Sequence, residues 1–185
     1  MVSKNRIFVV FPLFFAAFLL ALPLVAGAQP PAVSPEVKVP FRSTTLPLPR
    51  FVSLGAEEVH VRAGPGQKYP IRWTYSRQGL PVEIVLEFEN WRKIRDHEGQ
   101  EGWVYHTLLS GARTAMIEGR ENVPVYEAPD PKDDEITNVT MKLEPFVLVN
   151  VEECQAHWCA IEISGYQGWI ARKYLWGIYE HELFD

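Results

Sequence analysis

The sequence predicts an all-β protein made of two small β-barrels in tandem, and three observations support this. From residue 52 onward apolar residues alternate with polar ones, and no segment keeps a helical period. The β-branched and aromatic runs are short and are bounded by turn-forming residues. A motif that begins at Trp91 recurs at Trp158, and this spacing of about 66 residues is too long for a solenoid repeat and suits a small barrel.

The N-terminus has the order of a secretory signal peptide. Lys4 and Arg6 precede an apolar run over residues 7–25, and small residues follow up to Ala28. This order predicts a signal peptide over residues 1–28, cleavage after Ala28, and an exported, periplasmic protein. The alternative is an inner-membrane anchor, because a run of about 19 residues can just span a bilayer. The membrane is a partner only if the signal peptide is retained.

Residues 29–50 contain six prolines and show no hydrophobic period. They are predicted to form an extended, proline-rich linker. Cleavage after Ala28 would remove Lys4 and Arg6, which leaves 16 basic and 23 acidic side chains and a net charge of −7. This excess of acid disfavours nucleic acid and anionic lipid as partners.

The remaining chain is divided into a first barrel over residues 51–117, a second over 118–179 and a tail over 180–185. A sheet of about five short strands cannot bury both faces while open, so each half is expected to close on itself. Residues 115–117 are expected to be a strand of the first barrel. Alternate residues should form the cores: Val61, Trp73, Val82, Ile84, Ile94 and Val104 in one half, and Val125, Val139, Val147, Val149, Ile161 and Ile170 in the other.

Several of these segments resemble bacterial SH3-like (SH3b) domains. Residues 59–66, Val-His-Val-Arg-Ala-Gly-Pro-Gly, resemble the opening motif of those domains, and Trp91 followed by Gly-Trp-Val at 102–104 resembles their closing strands. The second half is similar to the tail of a family of exported bacterial SH3-like proteins. The resemblance covers residues 51–179 and implies two tandem SH3-like barrels with a cell-wall or peptide ligand. Residues 126–129 depart from the opening motif in the second copy.

Cys154 and Cys159 are the only cysteines in the sequence. In an oxidising compartment they are expected to form a disulfide across a hairpin turn. A metal site that adds His157 lacks a fourth ligand, and the acidic run at 130–135 lacks the bidentate glutamate of a calcium loop. The sequence therefore predicts no metal and no cofactor. No nucleophile with a matching base is recognisable either, so a non-enzymatic protein is expected.

The aromatic residues are too many for two small cores, so some should be exposed. An exposed aromatic groove can dock polyproline segments or sugar faces. Trp91 and Trp158 open strands beside turns and are expected to be more exposed than Trp103 and Trp169. An acidic loop should flank each groove, with residues 133–135 in the second barrel. The predicted binding residues are Trp91, Trp73, Tyr75, Glu57, Glu58, Arg62 and Trp158.

These features predict a cell-envelope binding module that recognises peptidoglycan or a proline-containing peptide. The alternative is a structural accessory subunit that packs on an envelope enzyme or sensor. Because the first barrel keeps the opening motif, it is expected to bind while the second supports it. A further hypothesis is that the chain's own residues 46–50, Leu-Pro-Leu-Pro-Arg, dock on the first barrel, where the tether raises their effective concentration. A plain spacer is the alternative.

Overall fold

The structure is a computed structural model that describes residues 44–129 and 138–184. The predicted signal peptide, its cleavage at Ala28, most of the linker and the acidic run at 130–135 lie outside the described residues. The described chain forms two seven-stranded antiparallel sheets with short 3-10 turns and no α-helix. No transmembrane helix is present among those residues.

The two sheets follow the same plan, strand for strand. The first barrel has the order β3-β2-β6-β5-β4-β1-β7, and the second has β10-β9-β13-β12-β11-β8-β14. The strands of the first are β1 (Arg50–Leu54), β2 (Val59–Arg62), β3 (Ile71–Tyr75), β4 (Pro81–Phe88), β5 (Trp91–Arg95), β6 (Glu101–Tyr105) and β7 (Leu109–Ser110). Those of the second are β8 (Thr114–Ile117), β9 (Val123–Tyr126), β10 (Val139–Leu143), β11 (Leu148–Gln155), β12 (Trp158–Ile163), β13 (Tyr166–Ala171) and β14 (Leu175–Trp176).

Each strand of the second barrel therefore repeats the strand seven places earlier, which confirms the predicted tandem all-β architecture. Matching 3-10 turns, His106–Leu108 and Arg172–Tyr174, precede the last strand of each sheet. The repeat thus includes the turns as well as the strands.

Strand β8 corrects the predicted boundary at residue 117. Its backbone pairs with β11 and β14, as β1 pairs with β4 and β7, so it belongs to the second barrel. Successive side chains of a strand point to opposite faces. Ala115 and Ile117 accordingly enter the second core, whereas Met116 between them enters the first. The two barrels are therefore packed together through β8.

The predicted core positions are mostly confirmed. All of those expected in the first barrel are buried except Trp73, which is partly buried against the same cluster. In the second barrel Val147 is partly buried against the core. Val139 is only half-buried and lies outside it, next to an irregularity in the pairing of β10 with β9.

The predicted disulfide is present. Cys154 and Cys159 are bonded to each other, and they are opposite residues in the register of β11 with β12. Both side chains are buried in the second core. The Cys154 amide also donates to the Phe184 carbonyl oxygen at 2.9 Å, so the chain after β14 returns to this hairpin.

The two Gly-Trp pairs of the repeat recur because the glycines allow β6 and β13 to approach their neighbours closely. A Cβ on Gly102 would lie 2.3 Å from Val61 Cγ1. A Cβ on Gly168 would lie 2.5 Å from Val125 Cγ1 and 2.9 Å from the Tyr126 carbonyl oxygen. All three distances are shorter than the contacts of a packed core, so no side chain fits at Gly102 or Gly168 unless its neighbours move.

Gly168→Ala should therefore destabilise the protein by about 1–3 kcal/mol, since the backbone of β9 has to move to admit the methyl group. The measurement is the free energy of unfolding in urea. Gly111→Ala is the matched control, because a Cβ there meets no described atom within 4 Å. Its expected effect is within about 0.5 kcal/mol. Equal losses in the two variants would contradict the close-approach explanation.

Candidate functional site

Both barrels place a tryptophan beside the 3-10 turn through the same backbone contacts. In the register of the first barrel Trp91 is opposite Tyr105, and in the second Trp158 is opposite Ala171. The first residue of each 3-10 turn then donates its amide to the carbonyl oxygen that precedes the tryptophan. These bonds are His106 to Asn90 at 2.9 Å and Arg172 to His157 at 2.8 Å.

In the first barrel, aromatic rings fill the space between the tryptophan and the 3-10 turn. The Tyr105 ring packs edge-on against Trp91, with centroids 5.4 Å apart, and the His106 ring lies 5.0 Å from Tyr105. Trp91 is only 9% exposed. The expectation that Trp91 is more exposed than Trp103 is therefore wrong, because a ring from the neighbouring strand covers it and Trp103 is only half-buried.

In the second barrel the same place is a cavity of about 780 Å³, here called the Trp158 cavity. Ala171 stands where Tyr105 stands in the first barrel, and its methyl group is too small to cover the tryptophan. Trp158 is supported from one side by an edge-on contact with Tyr126, at 5.6 Å between centroids. The other residues that line the cavity are His157, Arg172, Lys173, Leu175, Ile178, Glu180 and His181.

The Trp158 cavity combines an apolar wall with positive charge. Leu175 and Ile178 are part of the second core. Arg172 and Lys173 supply two cations from the 3-10 turn, against the single carboxylate of Glu180. Burial lowers the pKa of Arg172 from its usual value, and the nearby Glu182 opposes that shift. This arrangement suits a ligand that is partly apolar and carries negative charge.

Trp73 and Tyr75, two other predicted binding residues, pack against the first core. Their rings meet edge-on at 6.2 Å, and the Arg72 guanidinium lies 5.4 Å from the centre of Trp73. The Tyr75 hydroxyl donates to Asp96 at 2.6 Å. Burial, together with this bond, raises the pKa of Tyr75 well above its usual value, so the hydroxyl is held in its protonated form.

The remaining predicted residues of the first barrel lie around its opening motif. Glu57 and Glu58 are exposed, and Glu58 lies 3.4 Å from the His60 ring. Arg62 donates from Nη1 to the Tyr69 carbonyl oxygen at 2.8 Å and to that of Gln67 at 3.1 Å. These bonds close the loop over residues 63–70. Of the seven predicted binding residues, only Trp158 lines the Trp158 cavity.

The proline-containing segment contacts the first barrel at Glu87, which is not among the predicted binding residues. The Glu87 carboxylate accepts hydrogen bonds from Arg50 Nη2 at 2.6 Å and from the Thr44 amide and hydroxyl at 2.8 Å. Leu48 packs against the first core. Arg50, the cation that ends the segment, thus pairs with a buried carboxylate of the first barrel.

A second cavity, of about 650 Å³, lies between the barrels. The Phe51 ring contacts Trp176 at 5.2 Å and Tyr179 at 4.7 Å, which joins the first barrel to the end of the second. The Tyr179 hydroxyl donates to Glu83 at 2.7 Å, and Arg95 pairs with the same carboxylate at 3.2 Å. These bonds stabilise the contact between the barrels.

Within residues 44–129 and 138–184 no three His, Cys, Asp or Glu side chains are grouped closely enough to hold a metal ion. Apart from Trp158, sequence reasoning predicted none of the residues that line the Trp158 cavity, and Ala171 and Arg172 are the two that matter most among them. Their signal was available in the repeat itself. Aligning the two copies pairs Ala171 with Tyr105 and Arg172 with His106, which is a change from ring to methyl and from imidazole to guanidinium.

A model of the bacterial SH3 domain family matches this sequence twice, over residues 55–111 and 119–177. No curated protein matches it. Two solved structures from Trichomonas vaginalis, of NlpC2 and NlpC1, match at 13% and 14% identity with TM-scores of 0.32 and 0.31. The matches cover 72% and 75% of this chain, which spans half the length of each of those proteins.

Proposed function

We propose, from the premise that this chain belongs to the bacterial SH3 domain family, that it is a non-enzymatic binding module of the cell envelope. Its ligand enters the Trp158 cavity. Family membership supports a binding role in general, and the geometry supports this cavity in particular. The ligand class that fits the proposal is peptidoglycan or a proline-containing peptide.

The observation that carries the proposal is the open face of Trp158. A volume of about 780 Å³ falls within the usual range of ligand sites, and its walls mix apolar and charged side chains. An indole ring beside such a space can stack on a sugar face or pack against a prolyl ring. The equivalent position of the first barrel is covered by Tyr105.

We propose a division of labour between the copies that is the opposite of the one expected from the sequence. The first barrel keeps the opening motif, but Arg62 of that motif is engaged in closing its own loop. The second barrel lacks the motif and has the cavity. We therefore assign binding to the second barrel and support to the first.

Retention on purified peptidoglycan sacculi tests the proposal. The full chain should be retained, and Trp158→Ala should weaken retention by about 30-fold, which is typical of losing an aromatic anchor. Tyr166→Ala is the matched control: it removes an aromatic ring that is 69% exposed on the same barrel and does not line the cavity. A wild-type chain that passes through unretained contradicts peptidoglycan as the ligand. Full retention of Trp158→Ala contradicts the cavity as the site.

A further inference from the structure

We infer that the Trp158 cavity recognises a carboxylate of its ligand and that Arg172 is the residue that binds it. The ligand is then a peptide with a free carboxylate, rather than a neutral glycan or an uncharged prolyl segment. This inference rests on the proposed function, because it concerns the same cavity.

Arg172 is an unusual member of the cavity wall because its side chain is only 5% exposed. A guanidinium has five N–H donors, and a buried one needs an acceptor for each. Nη1 donates to the carbonyl oxygens of Tyr179 and Glu182, both at 2.6 Å. Nε and Nη2 are buried and have no acceptor among the described residues. One edge of the guanidinium is therefore satisfied, and the other is buried without an acceptor, so a ligand reaches it only when the cavity wall moves.

The edge formed by Nε and Nη2, which has no acceptor, is the one that matches a carboxylate. Nε and Nη2 point their hydrogens in the same direction, so they can donate two parallel bonds to the two oxygens of one carboxylate. A phosphate can accept the same pair of bonds, although its tetrahedral shape needs more room than a planar group. The Nε and Nη2 donors therefore favour a partner that is negatively charged and has two acceptor oxygens side by side.

The first barrel shows what a completed arrangement looks like in this chain. Arg92 is also buried, and its Nε lies 3.3 Å from the Glu87 carboxylate while Nη1 donates to the Glu89 and Trp91 carbonyl oxygens. Arg92 and Arg172 thus both use Nη1 for backbone oxygens. Of these two arginines, only Arg92 has a carboxylate of the described chain within ion-pair distance of its Nε.

The two described carboxylates that follow Arg172 in the sequence, Glu180 and Glu182, do not fill this role. Glu182 Oε1 is paired with Arg113 at 2.6 Å, and its other oxygen lies 3.3 Å from the Tyr179 amide. Glu180 lines the cavity on an exposed position and makes no ion pair with Arg172 within the described chain. Lys173, from the same 3-10 turn, adds a second cation at the cavity wall. An incoming carboxylate would meet an excess of positive charge.

The experiment uses two small probes, N-acetylalanine and N-acetylalaninamide, which differ only in having a carboxylate or a neutral amide at the C-terminus. Each is titrated into the full chain while the Arg172 Nε–H and the indole N–H signals are followed by NMR. The acid should shift the Arg172 and Trp158 signals and bind at least about tenfold more tightly than the amide. Equal shifts with acid and amide would overturn the inference. Inorganic phosphate is a third arm, and tighter binding of phosphate than of the acid would also overturn the carboxylate assignment.

Two variants separate a binding role from a structural one. Arg172→Lys keeps the positive charge but loses the two parallel N–H donors of the guanidinium, so the acid should bind at least about tenfold more weakly. A dispersed NMR spectrum of this variant should show that its fold is intact. Lys142→Gln, the control, removes an exposed cation of the same barrel that does not line the cavity, and should change binding by less than about threefold. Unchanged binding in Arg172→Lys would contradict the role of Arg172.

The outcomes distinguish this inference from the proposed function. Retention on sacculi with equal binding of acid and amide would leave the proposed function in place and remove the carboxylate site. Selective binding of the acid without retention on sacculi would leave the carboxylate site in place and exclude peptidoglycan as the ligand.

Discussion

Ala171→Tyr should abolish ligand binding and leave the fold intact. In the first barrel a tyrosine at the equivalent position packs edge-on against Trp91, at 5.4 Å between centroids, so this packing is compatible with the barrel. In the second barrel the new ring would occupy the Trp158 cavity and cover the indole. We expect retention on peptidoglycan sacculi to fall about 100-fold, because a filled site excludes the whole ligand and not just one contact.

The matched control for this variant is Gln167→Tyr. It adds the same ring to the same strand at an exposed position that does not line the Trp158 cavity. Its retention should equal that of the wild type. If Ala171→Tyr binds as well as Gln167→Tyr while the urea transitions of both match the wild type, the ligand does not enter the cavity.

Glu87→Gln should produce the largest loss of stability. The Glu87 side chain is fully buried and is shared by Arg50 at 2.6 Å and Arg92 at 3.3 Å. Removing its charge leaves the buried Arg92 without a counter-ion and weakens the attachment of Thr44 and Arg50. Breaking a buried pair by removing one partner costs about 3–5 kcal/mol. The free energy of unfolding in urea at neutral pH measures this loss.

Glu101→Gln is the control, because Glu101 pairs with Lys93 and Arg95 on a partly exposed surface. An exposed pair is worth about 1 kcal/mol or less. Glu87 and its partners Thr44, Arg50 and Arg92 are here called the Glu87 cluster. If the two variants lose the same free energy of unfolding, this cluster contributes no more than a surface ion pair.

The Glu87 cluster also predicts a pH dependence with a defined sign. Burial by itself raises the pKa of Glu87, but the hydrogen bonds from Arg50 and Thr44 and the charge of Arg92 hold it below its usual 4.5. A depressed pKa stabilises the folded state above the unfolded value, and this contribution is lost as the pH falls through the folded value. The difference between wild type and Glu87→Gln should therefore be constant above about pH 5 and shrink below about pH 4.

The features that the sequence predicted well depend on neighbours along the chain. Alternation from residue 52 reveals strands that bury one face, and the recurrence of Trp91 and Trp158 reveals the second copy. The disulfide was predictable because Cys154 and Cys159 are separated by a turn, which brings opposite residues of a hairpin together. Alternation and the disulfide depend on a spacing of a few residues, and the second copy is recognised because its short local motifs recur.

The features that it predicted poorly depend on residues from other strands. Trp91 is buried because Tyr105 lies opposite it, and Met116 enters the first core although its strand pairs in the second sheet. The partner of Arg50 is Glu87, which no local pattern distinguishes from Glu57 or Glu58. Periodicity says which face of a strand is buried, but it does not say which side chain covers it.

The sequence by itself therefore determined the class, the tandem repeat, the disulfide and the family, because alternation and motif spacing are local properties of the chain. Only the tertiary structure decided which copy has an open cavity. That difference rests on one pair of equivalent positions, Tyr105 in the first barrel and Ala171 in the second, and on the burial of Arg172. Burial and cavity volume are set by side chains that meet across strands, and a linear sequence does not state which of them meet.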